Sequence, residues 1–280
     1  MQEKINRFLD SVKEAVATEK LLLPSIPEVA LSIRDECEKV NSSAQQVAEL
    51  LSQDPALSVR LLQVANSSLY RTRSPIENIQ MAITRLGLRL VKDLIMGLAM
   101  KQLYKASNDV LAERFKELWM ASSKTAALSR MLAVNCDNID PEKAMLAGLT
   151  HNIGALPILI MAEDDDDLFD NPEALQKIIK EMQGEVGAYI FRAWHFAEFM
   201  IDVSKQCYDF TRTHKEPADY VDVVQVALLE GSIYTCLDCP DPEYWDTIPA
   251  FAKLNIDTVN NILEIEENKL VFEETHALFK

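Results

Sequence analysis

Apolar residues recur along the chain at intervals of three and four. Leu57, Leu61, Leu62, Val64 and Ala65 share one side of a helix, and Ile76, Ile79, Ala82, Ile83 and Leu86 share one side of another. The opening run MQEKINRFLDSVKEAV mixes charged and apolar residues at the same spacing. No period-two alternation is long enough to define a strand. The short piece LPILI, residues 156–160, fits by length either a strand or a buried helix. Helix starts punctuate the pattern. Ser25-Ile26-Pro27-Glu28 has the form of a capping box, and Ser42-Ser43-Ala44-Gln45 repeats it with Gln. Asp54-Pro55, Ser74-Pro75-Ile76-Glu77 and Asp140-Pro141-Glu142 each place a capping side chain before a proline that needs no backbone donor.

The breaks are as legible as the starts. Glu163 to Asp167 is a run of like charges that repel one another, so a loop or a frayed helix end is expected there. Helical pattern resumes at Pro172 and runs to about Cys207. A further break falls at RTHKEPADY, where Pro217 stops one helix before another begins. Asp238 to Pro249 reads as an irregular connector, and the final stretch from Asn255 as helix again. No internal repeat of fixed period is visible. The expected fold class is all-α: an N-terminal helical bundle packed on a second helical bundle in one continuous unit.

Composition narrows the function classes. Apolar residues make up 48% of 280, enough for a real core, and only 7 glycines interrupt a helix-favouring mixture. The net charge of −16 repels phosphate backbones and anionic lipid, so neither nucleic acid nor a membrane surface is an expected partner. The densest basic stretch, Arg85 to Lys92, is modest. The start lacks the continuous apolar stretch of a signal peptide, and no apolar run approaches the ~20 residues of a membrane span. Five cysteines, an odd number scattered through the chain, point to reduced thiols and a cytoplasmic location.

Five stretches carry a resemblance. They are LPSIPEVALSI (Leu23 to Ile33), VAELLSQDPALSVRLLQVANSSLY (Val47 to Tyr70), SPIENIQMAITRLGLRLVKDLIM (Ser74 to Met96), LAGLTHNIGALPIL (Leu146 to Leu159) and GEVGAYIFRAWHF (Gly184 to Phe196). In this order and spacing they resemble the HDOD family, the HD-related output domain of bacterial signalling proteins, over residues 18 to 216. HDOD domains look like relatives of HD-type metal-dependent phosphohydrolases. That parent chemistry uses a His, an adjacent His-Asp pair and a late Asp to hold divalent metals, which lower the pKa of a water and polarise a phosphate. Carried over position by position, the first His falls near Ala121 and the His-Asp pair on His151 and Asn152. An additional His falls near Gln183, and the late Asp near Leu228. His214, preceded by Thr213, stands where relatives often carry two His. A methyl group cannot ligate, and a neutral amide oxygen neutralises no metal charge. Of the main ligand set His151 remains, and one imidazole does not hold a catalytic metal. The resemblance therefore implies a degenerate site without metal, cofactor or catalytic residues.

Other features have plainer readings. Gly148 and Gly154 fit close helix packing or a C-cap. Cys236-Leu237-Asp238-Cys239 lacks the second pair of a zinc site and the strand–helix setting of a redox motif. The acidic run lacks the alternation, glycine and closing Glu of a calcium loop. Trp119 and Trp194 read as core anchors and Trp245, in the connector, as an exposed contact. The organisation expected is an N-terminal helix (1–17), an HDOD domain (18–216, with an N-terminal helical part to 105 and an HD-like part from 106), and a C-terminal helical extension (217–280) packed on the HD-like part. The function implied is non-catalytic signal transduction through protein–protein interaction with other signalling proteins, with self-association left open. The alternatives are a phosphohydrolase with a rebuilt ligand set drawn from His151, His195 or His214 with acidic residues, and a nucleotide-sensing module.

Overall fold

The structure, a computed structural model, describes every residue except 22, 71–74, 107, 232–238, 257, 259–261, 265 and 280. The described residues form helices and turns, with no strand among them. Helix α1 (Gln2–Ala17) buries Ile5, Leu9 and Val12, the three- and four-residue spacing of the opening run. Helix α2 spans Glu28–Cys37. Its N-cap is Pro27, in extended backbone with no side-chain cap, rather than the expected Ser25. Ile26 is 7% exposed, so the residues before the helix are drawn into the core as an extended segment. Helix α3 (Ala44–Leu51) has the expected capping box, shifted by one residue to Ser43 and Gln46. Asp54 caps α4 (Pro55–Ala65) through the N–H groups of Ala56 and Leu57.

The start expected at Ser74 is not where the next helix begins. Ser74 lies outside the described residues, and α5 spans Ile79–Leu86, capped by Asn78. The segment before it is held open by Asn66, whose side chain accepts from the Ile76 N–H at 2.9 Å and donates to the Ile76 carbonyl at 2.8 Å. A residue whose N–H and C=O are both claimed by a side chain cannot join a helical ladder. Gly87, at φ +82°, then lets α6 (Leu88–Met100) follow α5 without a linker.

Helix α7 (Asp109–Ala133) is capped by Asn108, and α8 (Pro141–Thr150) by Asp140. LPILI lies within helix α9 (Ala155–Ala162), so the buried-helix alternative applies. The acidic run is partly ordered: Asp166–Phe169 forms the single turn α10. Asp165 accepts from the Leu168 N–H, and the Lys4 ammonium lies 2.7 Å from Asp165 and 2.6 Å from Asp167, which offsets the repulsion. Helix α11 (Pro172–Ala193) ends before Cys207. His195, at φ +56°, breaks the run, and α12 (Glu198–Gln206) starts afresh. Beyond Pro217 come α13 (Tyr220–Glu230), α14 (Pro249–Leu254) and α15 (Glu266–Ala277).

The chain divides into two compact units. One holds Ser25–Leu103 with Ile265–Lys280, and its helices α2 to α6 pack around Ile33, Leu51, Leu57, Leu61 and Ile95. The other holds Met1–Pro24 with Tyr104–Glu264. There α7 and α8 form the central pair, clamped by the half-buried Arg130–Glu142 ion pair at 2.9 Å. The C-terminal region is thus shared, with α13 and α14 in this unit and α15 in the other. The segment Pro141–Ala162 is, contrary to expectation, long and apolar enough to cross a membrane. It is mostly buried within the protein, where a core helix pair has the same composition.

Candidate functional site

Residues 151–154 form the turn between α8 and α9, at the centre of the larger unit. Two glycines bring it inward. A Cβ on Gly148 would lie 2.6 Å from Ser129 Oγ and 2.8 Å from the Thr125 carbonyl, so α8 sits hard against α7. A Cβ on Gly154 would lie 2.0 Å from the Gln183 carbonyl, so the start of α9 touches the backbone of α11. Close packing, one of the two roles expected of these glycines, accounts for both.

His151 is fully buried. Its Nδ1 lies 2.7 Å from the Gly148 carbonyl, which can only accept, so Nδ1 carries the proton. Nε2 is buried with a bare lone pair and no hydrogen-bond partner. Burial pushes the imidazole pKa down to about 4, against a smaller upward push from the Gly148 bond, and the ring is neutral at pH 7. The Tyr208 ring lies 5.9 Å away, centroid to centroid.

Asn152 is 1% exposed and turns toward α7. Its Oδ1 lies 2.8 Å from Ser122 Oγ and accepts from the Tyr104 hydroxyl at 3.3 Å, and its Nδ2 donates to the Leu118 carbonyl at 3.5 Å. Ser122 Oγ is also 2.9 Å from that carbonyl, so its one proton has two acceptors to choose from. Burial pushes the Tyr104 hydroxyl up to about 12, which keeps it a donor. Asn152 is therefore the acceptor at the centre of a closed side-chain network.

The other positions carried over from the resemblance do not supply ligands here. Ala121 is buried on α7 beside Ser122 and offers a methyl. Leu228 is fully buried on α13, which packs against α7 and α8. Gln183 is 3% exposed on α11, with its carbonyl facing Gly154. The hydrocarbon side chains of Ala121 and Leu228, with an Asn152 oxygen that already takes donors, do not fit a divalent metal. His195 is exposed at the α11 break.

His214 belongs to a different cluster, and no hydrogen bond, ion pair or ring contact joins it to His151 among the described residues. Its Nε2 is 2.9 Å from Asp222 Oδ2 and 3.9 Å from Asp219 Oδ2. Lys253 Nζ, from α14, lies 2.9 Å from both ring nitrogens and 2.5 Å from the Glu216 carbonyl. Arg212 reaches Asp219 at 2.5 Å and Asp222 at 3.2 Å. Burial pushes the Asp219 carboxyl up, but Arg212, the Asp222 N–H and nearby positive charge together hold it below its usual value. Asp219 and Asp222 also form the capping box of α13. Ligand atoms of His214, Asp219 and Asp222 lie within 4.8 Å of one another, a spacing that suits a metal. Arg212 already pairs with both carboxylates, and an ion on His214 would have to displace the Lys253 ammonium from the ring.

Sequence reasoning named His214 with acidic residues but not Asp219, Asp222, Arg212 or Lys253, and it missed Tyr104 and Ser122. The available signal was Asp219-Tyr220-Val221-Asp222, two residues after Pro217, a capping-box spacing. Trp245, expected to be exposed, is 6% exposed. Its ring stacks on Phe251 at 5.3 Å, and its indole N–H donates to the Pro240 carbonyl. Trp119 is buried as expected, 5.1 Å from the Tyr104 ring, whereas Trp194 is half-buried against Phe191 and Phe196. Cys236 lies outside the described residues.

The sequence matches the family model of the HDOD domain over residues 23–210. The chain belongs to the HDOD family. This HDOD protein is similar over its whole length to a solved structure from Shewanella amazonensis SB2B, named as a candidate metal-dependent phosphohydrolase. The two share 29% identity with a TM-score of 0.87, covering 99% of this chain and 100% of that one. A solved HDOD domain protein from Geobacter sulfurreducens, 21% identical with a TM-score of 0.70 and 99% of each chain covered, shows the same fold. A Treponema pallidum (strain Nichols) protein of uncharacterised function is 24% identical over 237 residues, 81% of this chain. The HDOD chain spans 44% of the length of that relative.

Proposed function

We propose that this HDOD protein is a non-catalytic signal-transduction module of a bacterial cytoplasm, acting on other signalling proteins as a scaffold or regulator. The observation that carries the reading is the state of Asn152. Its oxygen is engaged by Ser122 and Tyr104, and Ala121 and Leu228 bring hydrocarbon where the family likeness would want ligands. A site in this condition cannot generate a metal hydroxide. The frame around it is closed by packing, which suits a body that presents surfaces. Turnover of bis(p-nitrophenyl) phosphate with added manganese or zinc tests the reading. No hydrolysis above the metal-only control is expected, and turnover abolished by His151→Ala would overturn it.

One set of observations favours a second reading, a phosphohydrolase with a rebuilt ligand set. His214, Asp219 and Asp222 have ligand spacing, and the Shewanella relative carries a phosphohydrolase name. On that reading the native chain binds a divalent ion once Lys253 moves aside, and Lys253→Ala should tighten that binding. No gain of affinity in that variant argues for the scaffold reading.

A further inference from the structure

The larger unit contains a groove of about 480 Å³ between α7, α9 and α11, walled by Leu118, Leu159, Leu175 and Ile179 with Arg114 among them. A volume of this size, mostly apolar with few polar groups, is typical of small-ligand sites. Leu159 and Leu175 are buried, while Leu118 and Ile179 are half-buried, so the wall is continuous with the core. Arg114 is the distinctive feature. Its Nη2 donates to the Phe169 carbonyl at 2.7 Å, and its guanidinium carbon lies 4.9 Å from the Phe169 ring centre. Those contacts hold one side of the group. Its Nε–H is buried and has no acceptor, and no ion pair joins the group to a carboxylate among the described residues. Glu117 also lines the groove, exposed, without pairing to Arg114. In a chain with 44 acidic residues against 28 basic ones, an unneutralised guanidinium in an apolar wall is unusual.

We infer that this groove binds a small carboxylate with an apolar tail. The end-on edge of the guanidinium, where Nη1 is uncommitted, meets the two carboxylate oxygens, and the tail lies along the leucine wall. Leu118 gives the site a consequence. Its side chain lines the groove, while its carbonyl faces Ser122 and Asn152. An occupant therefore abuts the residue that anchors the Asn152 network. The inference goes beyond the scaffold reading and does not depend on it.

Calorimetric titration of the full chain with octanoate and with 1-octanol tests the site. Octanoate should bind saturably, one per chain, and raise the melting temperature by mass action. Octanol, which lacks the charge, should bind at least about tenfold more weakly. Arg114→Gln should reduce octanoate binding to the octanol level, and Ile179→Trp should weaken both by filling the groove. Equal affinity for the two probes, no saturable octanoate binding at millimolar concentration, or unchanged binding in a folded Arg114→Gln would overturn the inference. The comparison of the two probes on the native chain does not rely on either variant folding.

Discussion

One unit holds two histidines in opposite surroundings. His151 is fully buried, neutral and bonded only to a backbone carbonyl, beside an amide whose oxygen accepts hydroxyl donors. His214 is half-buried in a cluster of two carboxylates, a guanidinium and an ammonium. The first has the place in the chain that the family likeness gives to a metal ligand, without the neighbours. The second has ligand-type neighbours at metal spacing, with Arg212 already paired to both carboxylates and Lys253 against the ring. The difference teaches that a position in the fold and a set of ligand-type side chains are separate things: His151 has a bare lone pair without a second ligand beside it among the described residues, whereas His214 has two carboxylates beside it that Arg212 already holds.

The contrast can be broken from either side. Gly154→Ala carries the largest expected effect, a loss of at least about 3 kcal/mol in urea unfolding, because the new methyl would meet the Gln183 carbonyl at 2.0 Å. A loss under about 1 kcal/mol would mean that α9 and α11 are free to separate. Asp222→Ala should cost about 2–3 kcal/mol, since it removes the acceptor shared by Arg212, His214 and the Asp219 N–H. A smaller change with retained helicity would mark the cluster as a surface feature.

Two buried groups make stability answer to pH in opposite directions. The folded-state pKa of His151 is pushed down to about 4, so the unfolded chain takes the proton first as pH falls. Its contribution is intact above about pH 6.5 and is lost progressively toward pH 4, on the order of 2 kcal/mol by pH 4.5. Glu230 has the opposite sign. Burial pushes its carboxyl up to about 7, so its contribution is present below its unfolded value and lost as pH rises through 7. Stability measured from pH 4.5 to 7 should therefore flatten in one direction for His151→Gln and in the other for Glu230→Gln. Slopes of the same sign would refute the assignment. Ser122→Ala should cost about 1 kcal/mol and leave Tyr104 as the donor to Asn152. The smallest effect is expected at Lys4→Ala, whose exposed bridges to Asp165 and Asp167 should leave the unfolding midpoint unchanged at moderate salt.

Much of the fold was legible because its signals are local. Asp54-Pro55 and Asp140-Pro141 cap helices as their chemistry requires, and apolar spacing marks the buried faces of α1 and α4. Where local signals failed, a distant contact had overridden them. Ser25 lost its capping role when Ile26 was drawn into the core, and the helix expected from Ser74 gave way to the Asn66 clamp on Ile76. Trp245 sits in a polar connector, yet Phe251 covers it. The site shows the same division. His151-Asn152 and its flanking glycines could be read along the chain. Tyr104 and Ser122 lie 48 and 30 residues from Asn152, and Lys253 lies 39 residues from His214, so no short motif reveals them.

The most direct test is a count of metal per chain, on protein purified without chelators or a metal-affinity tag and then incubated with zinc and manganese. Well under one equivalent is expected, with no change in His151→Ala or His214→Ala. Near one equivalent, lost in His151→Ala, would contradict the closed network at Asn152. The same count lost in His214→Ala would contradict the reading that Arg212 and Lys253 close the second cluster.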